Sequence, residues 1–460
     1  MNRSTILAAV VLVLALLCPR PVDAYSLLTH EQLIDLTWQD SIVPLLLSRY
    51  PNLTPADLDR ARAYAYGGCV IQDIGYYPFG DRSFSDLTHY VRSGDFVVNL
   101  FRNAHDANEL AFAIGALSHY IGDSIGHSEA TNLAVPIEFP KLRAKYGKSV
   151  SYAEGKHQHV QTEFAFDINE IAHHRVAPLR YLRHIGFRVS MKQLGQAFYQ
   201  TYGLTENLGV RRRINVRDYR FAARTFIPRI AYAVTLLRRS HEPPDPTTPE
   251  VIELEKESAE VARINNWDFY RRKAGIGTHL LAALLFILPK VGPLALVNVK
   301  GPNQQTEADY AHSVAVSTTS LRRILRHFTP ETARYKGPIP PLASLTRPYT
   351  TQPRRRDPNH PLPNRDLDTG KVVQPGGYRL TDATYADLLH ELVQNPKQPI
   401  PPGIKEDVQQ YYSNPDAPIT TKSDPERWKQ VVADLTILAG MPTSTRPAPL
   451  ATYGGDEEDE

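Results

Sequence analysis

Three things are scarce in this chain of 460 residues, and each scarcity narrows what it can be. Only two cysteines are present, Cys18 and Cys69, and Cys18 lies in a segment expected to be removed on export, so internal disulfides are not expected to rigidify the mature fold. The net charge of +3 argues neither for nor against an anionic partner, but there is no long basic run of the kind that marks obligate nucleic-acid binders. No apolar run approaches the roughly 20 residues that a membrane-spanning helix requires. Ile6 to Leu17 stops at Pro19, and Leu280 to Leu288 stops at Pro289-Lys290. The second of these reads as a buried helix. Clean strand-like alternation is missing too, and no internal repeat is found, so an all-α fold, a helical bundle-like domain with a helical, proline-rich C-terminal extension, is the simplest expectation.

Residues 1–24 are expected to be a signal peptide. Arg3 precedes the apolar run, and Val22-Asp23-Ala24 supplies a small residue at the cleavage position. The mature chain would begin at Tyr25 and be exported, to the periplasm or the medium. It would then retain one thiol, and bound metal could supply the missing rigidity.

Residues 25–240 form the expected main helical domain. Thr54-Pro55 offers an N-cap and first-turn proline, with Gly67-Gly68 as a stop. Apolar residues recur at helical spacing from Asp106 to His127, and again over 216–240 through Phe221, Phe226, Ile230 and Val234. The 37 prolines concentrate after residue 240. Residues 249–335 are expected to be a helical extension with a helix from Gln304 to His327. Residues 336–376 are expected to be an extended, proline-rich linker, 380–440 a small helical region, and 441–460 a flexible tail ending in Asp456 to Glu460.

Nine of the sixteen histidines precede residue 175. His119, Asp123 and His127 recur at steps of four and so share one helical face. Such a stripe makes a poor core, whereas a metal site accounts for it. Gly115, Gly122 and Gly126 lie in the same helix. Each costs about 1 kcal/mol relative to alanine, a cost accepted where another backbone must come close. His159 and Glu163 repeat the one-turn pairing, with His157 a competing ligand, whereas His173 and His174 read as surface. Asp73 sits in a glycine- and aromatic-rich loop, and His89 follows. Tyr25 would carry a free α-amine five residues before His30, and an amine with a pKa near 8 can bind a cation.

Taken in order, a mature N-terminus, His30, Asp73, His89, His119-x-x-x-Asp123, His127 and His159-x-x-x-Glu163 resemble the zinc-dependent phospholipase C and P1/S1 nuclease superfamily, chiefly its phospholipase C-like branch. The resemblance covers roughly residues 25–175. It implies an all-α enzyme with three zinc ions, two to three being the expected range. Asp73, His89, His119 and Asp123 would hold one. Asp123 would bridge to a second, held by His30 and the amine and carbonyl of Tyr25, and His127, His159 and Glu163 would hold the third. Two departures are visible. Tyr25 stands where the family usually has tryptophan, and three residues rather than five separate Asp123 from the next histidine, leaving Glu129 at the usual position as an alternative ligand. The implied chemistry is hydrolysis of a phosphodiester by metal-activated hydroxide, with Asp73 as a proton acceptor. Tyr76, Tyr77 and Phe79 could form an aromatic wall for a head group or a base.

The substrate implied is a phospholipid or another phosphodiester, with peripheral membrane contact, no stable nucleic-acid complex and no identifiable protein partner. Glu163 favours a phospholipase, since the nucleases more often carry aspartate there. A single-strand nuclease or nucleotidase is the alternative, and a non-catalytic, metal-stabilised envelope binding protein is the rival from a different class.

Overall fold

The computed structural model describes residues 27–76, 80–204, 227–237, 248–271, 275–287, 301–345 and 360–444. Among these the secondary structure is helical with no strand, and two isolated bridges, Arg365 with Val372 and Ile400 with Thr443, are the extent of β pairing. The all-α expectation holds. The leader, Tyr25, Tyr77, Phe79, Phe221, Phe226 and the acidic tail lie outside the described residues.

Local sequence chemistry sets the helices that carry the site. The helix α1 spans Leu27–Thr37 and α2 spans Pro55–Cys69. Thr54 caps α2 in a reciprocal box with Asp57, and Pro55 occupies the first turn. Gly67 and Gly68 do not stop α2, which runs on to Cys69. These glycines serve close packing instead. A Cβ on Gly68 would run into the carbonyl of Phe112, and one on Gly115 into the carbonyl of Ala65. The two helix backbones therefore touch along a stripe of small residues.

That partner helix is α5, Ala107–Gly126, capped by Asp106 and about 30 Å long at 1.5 Å per residue. It lies at the centre of the molecule, against α1, α2 and α4 (Ser93–Arg102) and against α9 (Gln304–Phe328). The α-helix ends at Gly126, and His127–Thr131 continue as one π-helical turn. Two further helices bear site residues: α3, Arg82–Tyr90, and α6, Lys156–Ala172. The helices α7 (Met191–Tyr202) and α10 (Arg379–Val393) pack on α3, α11 (Pro402–Tyr411) packs on α7, and α12 (Pro425–Gly440) packs on α10. The helix α8, Pro249–Ile264, packs on α9.

The later half of the chain is not an appendage. One large hydrophobic core joins residues from Leu27 to Met441, with a small second cluster at Tyr90, Ala153 and Tyr378. The Tyr310 hydroxyl on α9 donates to Gln32 Oε1 on α1 at 2.8 Å. Arg175, buried at the end of α6, donates to Glu170 and to Glu307 of α9 at 3.0 and 2.8 Å. A buried guanidinium held by two carboxylates is costly to break at either partner, about 3–5 kcal/mol, so this joint is firm. The α10 helix lies on α3, and α11 lies on α7.

Two expectations are corrected. The apolar run beginning at Leu280 belongs to the helix Ile276–Ile287, but Leu280 is 66% exposed and Ile276 is 81% exposed, while Ala282 is buried. The periodicity of an all-apolar run could not show which face is covered. Among the described residues, no helix is long and apolar enough to cross a membrane. The linker expected over 336–376 is also corrected where the structure describes its end. Pro363, Arg365, Asp366, Leu367, Asp368 and Gly370 are buried, and they pack on the helices that carry the histidine cluster.

Candidate metal centre

Eight of the nine ligand-type residues singled out in the sequence are described, and the fold brings all eight together. None of His30, Asp73, His89, His119, Asp123, His127, His159 and Glu163 is more than 3% exposed. Five segments deliver them: α1 carries His30, the 3₁₀ turn Ile71–Tyr76 carries Asp73, and the last turn of α3 carries His89. The end of α5 and its π turn present His119, Asp123 and His127, and the first turns of α6 present His159 and Glu163.

Asp123 is the hub. Its Oδ1 lies 3.2 Å from His30 Nε2 and 3.7 Å from His127 Nε2. Its Oδ2 lies 2.9 Å from His119 Nε2 and 3.4 Å from His89 Nε2. Asp73 Oδ1 stands 3.3 Å from His89 Nε2. Beyond the hub, His159 Nε2 is 2.9 Å from His127 Nδ1 and 3.0 Å from Glu163 Oε1. Three groups result, each with ligand atoms within 4.8 Å of one another: His30, His119 and Asp123; Asp73, His89 and His119; and His127, His159 and Glu163. The competing histidine, His157, is exposed and Glu129 is only half-buried, so the geometry favours His127 for the third group.

The backbone sets which ring nitrogens face the centre. His89 Nδ1 is 2.7 Å from the Ser85 carbonyl and His119 Nδ1 is 2.9 Å from the Cys69 carbonyl. A carbonyl only accepts, so Nδ1–H donates in both rings and Nε2 is turned inward. The glycine stripe contributes here as well. A Cβ on Gly122 would press on Leu33 and approach the His30 ring, so glycine lets α1 bring His30 to 4.2 Å, ring to ring, from His119.

Such a set suits a divalent cation. Oδ1 of Asp73 and both Oδ atoms of Asp123 are buried without a hydrogen bond of regular geometry. A buried carboxylate is costly unless paired or coordinating, and mixed imidazole and carboxylate donors match zinc. Burial pulls the His159 and His127 pKa values down, His159 well below the usual histidine range. At His89 and His119, burial also lowers, but the Asp123 and Asp73 carboxylates outweigh it and hold both above the usual range, His89 well above. The sign follows. Burial lowers His30 as well, so the protons a cation must displace near neutrality sit on His89 and His119 and not on His30, His127 or His159. Acidification below neutral pH is therefore expected to strip the Asp73, His89 and His119 site first. Zinc release followed against pH should show two waves, and one wave at a single pH would contradict this.

Sequence reasoning missed Asp368. It is 3% exposed and lies close enough to His127 and His89 for each to lower its pKa, although burial raises it overall. Its Oδ2 accepts from the hydroxyls of Tyr90 at 3.0 Å and Tyr378 at 2.7 Å. Nothing in its proline-rich surroundings signals this, because the signal is purely tertiary. Of the expected aromatic wall, Tyr76 is buried, with its ring 5.4 Å from that of His89 and its hydroxyl on Asp86 Oδ1 at 3.0 Å. Residues 173 and 174 differ from each other: His173 pairs with Glu255 at 3.4 Å, whereas His174 is exposed.

Residues 29–207 match the family model described as zinc dependent phospholipase C. No curated protein and no solved structure matches the chain. The matched stretch contains all eight buried ligand-type residues, on an all-helical scaffold. Over that stretch, less than half of its length, the chain is therefore similar to the zinc-dependent phospholipase C family.

Proposed function

We propose that this chain is an exported zinc-dependent phosphodiesterase of the phospholipase C type, cleaving a phospholipid on the glycerol side of its phosphate. The observation that carries the reading is that two groups of buried ligands share His119 and are bridged by Asp123, which faces His30, His119 and His89, with a third group beside them, within a stretch that matches the family. Glu163, the last carboxylate, favours a phospholipid over a nucleic acid.

When bound, zinc supplies an acidified water and positive charge against the phosphoryl oxygens. The residues that would hold it are His30, with the amine and carbonyl of Tyr25, and Asp123 for one ion; Asp73, His89, His119 and Asp123 for the next; and His127, His159 and Glu163 for the third. The chain's own part is positional. The Ser85 and Cys69 carbonyls hold the His89 and His119 rings in one tautomer. Asp123 sets the spacing of the pair. Asp73 Oδ1, buried and 3.3 Å from His89 Nε2, is placed to take the proton of the attacking water. Because the surrounding side chains are buried, charges act at low effective dielectric and count for more than they would in water.

The test is hydrolysis by the processed chain of phosphatidylcholine vesicles and of single-stranded DNA, side by side. Release of phosphocholine, stopped by chelation and restored by zinc, is the expected result. Cleavage of the DNA alone would move the reading to the nuclease branch. Zinc retained with neither substrate cleaved would leave a metal-stabilised binding protein.

A further inference from the structure

The stretch from Pro363 to Tyr378 is absent from the family match, yet it touches most of the elements that build the metal centre. The Leu367 N–H donates to the carbonyl of His89 at 3.1 Å. Asn132, just after the π turn that begins at His127, donates through its side-chain amide to the Asp368 carbonyl at 2.7 Å. Gly370 has φ +67° and sits so close to the Ser124 carbonyl, next to Asp123, that a Cβ there would collide with it. The Tyr378 hydroxyl accepts from the Ala153 N–H at 3.1 Å, just before the helix that carries His159, and donates to Asp368. Ser93 and Arg365 exchange two hydrogen bonds, 2.6 and 3.1 Å, beside His89.

These contacts do not resemble a loop draped on a surface. They fall on the carbonyl or the near neighbours of His89, Asp123, His127 and His159, and Asp368 is buried among them. Groups that orient metal ligands from outside the coordination sphere commonly change metal affinity by about 10–100-fold when altered.

We propose that residues 363–378 form an intramolecular clamp on the metal centre, so that the family domain at 29–207 reaches its working geometry only with this distant stretch of its own chain in place. The clamp pins the His89 end of α3 to the Asp123–His127 end of α5, and Asp368 is its central positioning residue. The consequence for catalysis rests on the metal-centre reading; the clamp itself is a statement about which segments hold which.

The experiment uses the full chain and two variants. Gly370→Ala pushes the clamp off Ser124. Asn132→Ala removes one hydrogen bond from the domain side without crowding, so it tests the idea even where the first variant folds poorly. Hydrogen exchange is read in peptides covering residues 86–91 and 124–132, with release of zinc to a chelator and steady-state kinetics measured alongside. In Asn132→Ala the expected result is about tenfold faster exchange in both segments, unchanged exchange in α12, and about tenfold faster zinc release. The accompanying loss should fall on kcat with KM held, and excess zinc should restore it. Faster exchange in both segments of Asn132→Ala, with a wild-type chain that binds no zinc, would keep the clamp and sink the metal reading. Exchange at the wild-type rate in both segments would overturn the clamp. Protection lost equally in α12 would overturn it too, by assigning the contacts to general stability.

Discussion

Replacing Asp123 with asparagine should lower phosphodiester hydrolysis by about two to four decades and remove the paired zinc ions while leaving the helices in place. The size follows from the hub geometry. Both carboxylate oxygens are used, each facing two imidazoles within 3.7 Å. An amide keeps the shape but loses the charge, and it turns one acceptor into a donor aimed at ring nitrogens. Opening a buried charge pair at one partner costs about 3–5 kcal/mol, which corresponds to about two to four decades at 1.4 kcal/mol per decade. Metal content and turnover should therefore fall together. Far-UV circular dichroism should stay at the wild-type level, because α5 needs no charge at this position to form. A variant with full turnover would remove Asp123 from the centre.

Removing zinc with a chelator should lower the melting temperature by about 10 °C. A ligand bound only to the folded state stabilises it by about 4 kcal/mol when present at a thousand times its dissociation constant. In large domains each kcal/mol is worth about 2–4 °C. The chain has reason to depend on such a contribution. Its one described thiol, Cys69, is buried and unpaired in any disulfide, and burial pushes its pKa up. Meanwhile eight ligand-type side chains are packed at the junction of five segments. Paired thermal melts of zinc-loaded and chelated chain, followed by circular dichroism, check this. An unchanged midpoint after complete removal of the metal would mean that the centre contributes nothing to holding the helices together.

Much of this site could be read from residues in a row. The four-residue steps through His119, Asp123 and His127 and from His159 to Glu163 are helical geometry written in sequence, and α5 and α6 present them as the spacing implies. The stripe of Gly115 and Gly122 was legible as close approach, though its partners, the Ala65 carbonyl and the Leu33 side chain, were not. His127 shows where local reasoning ended. It was expected on the same α-helical face and instead opens a π turn, which one chain segment cannot disclose because the choice is made by what packs on it. Asp368 marks a second limit. Asn132 meets it across 236 positions, and proline-rich sequence around it resembles exposed chain. Burial of that stretch is decided by hydrogen bonds to α3 and the end of α5, which periodicity and composition do not encode.

The single measurement closest to the central claim is the zinc content of the correctly processed full chain, determined by elemental analysis after exhaustive dialysis. Two to three zinc ions per chain, falling toward one or none in Asp123→Asn, is the result this account predicts. A folded wild-type chain carrying no zinc, or one whose zinc content is untouched by that substitution, would contradict it.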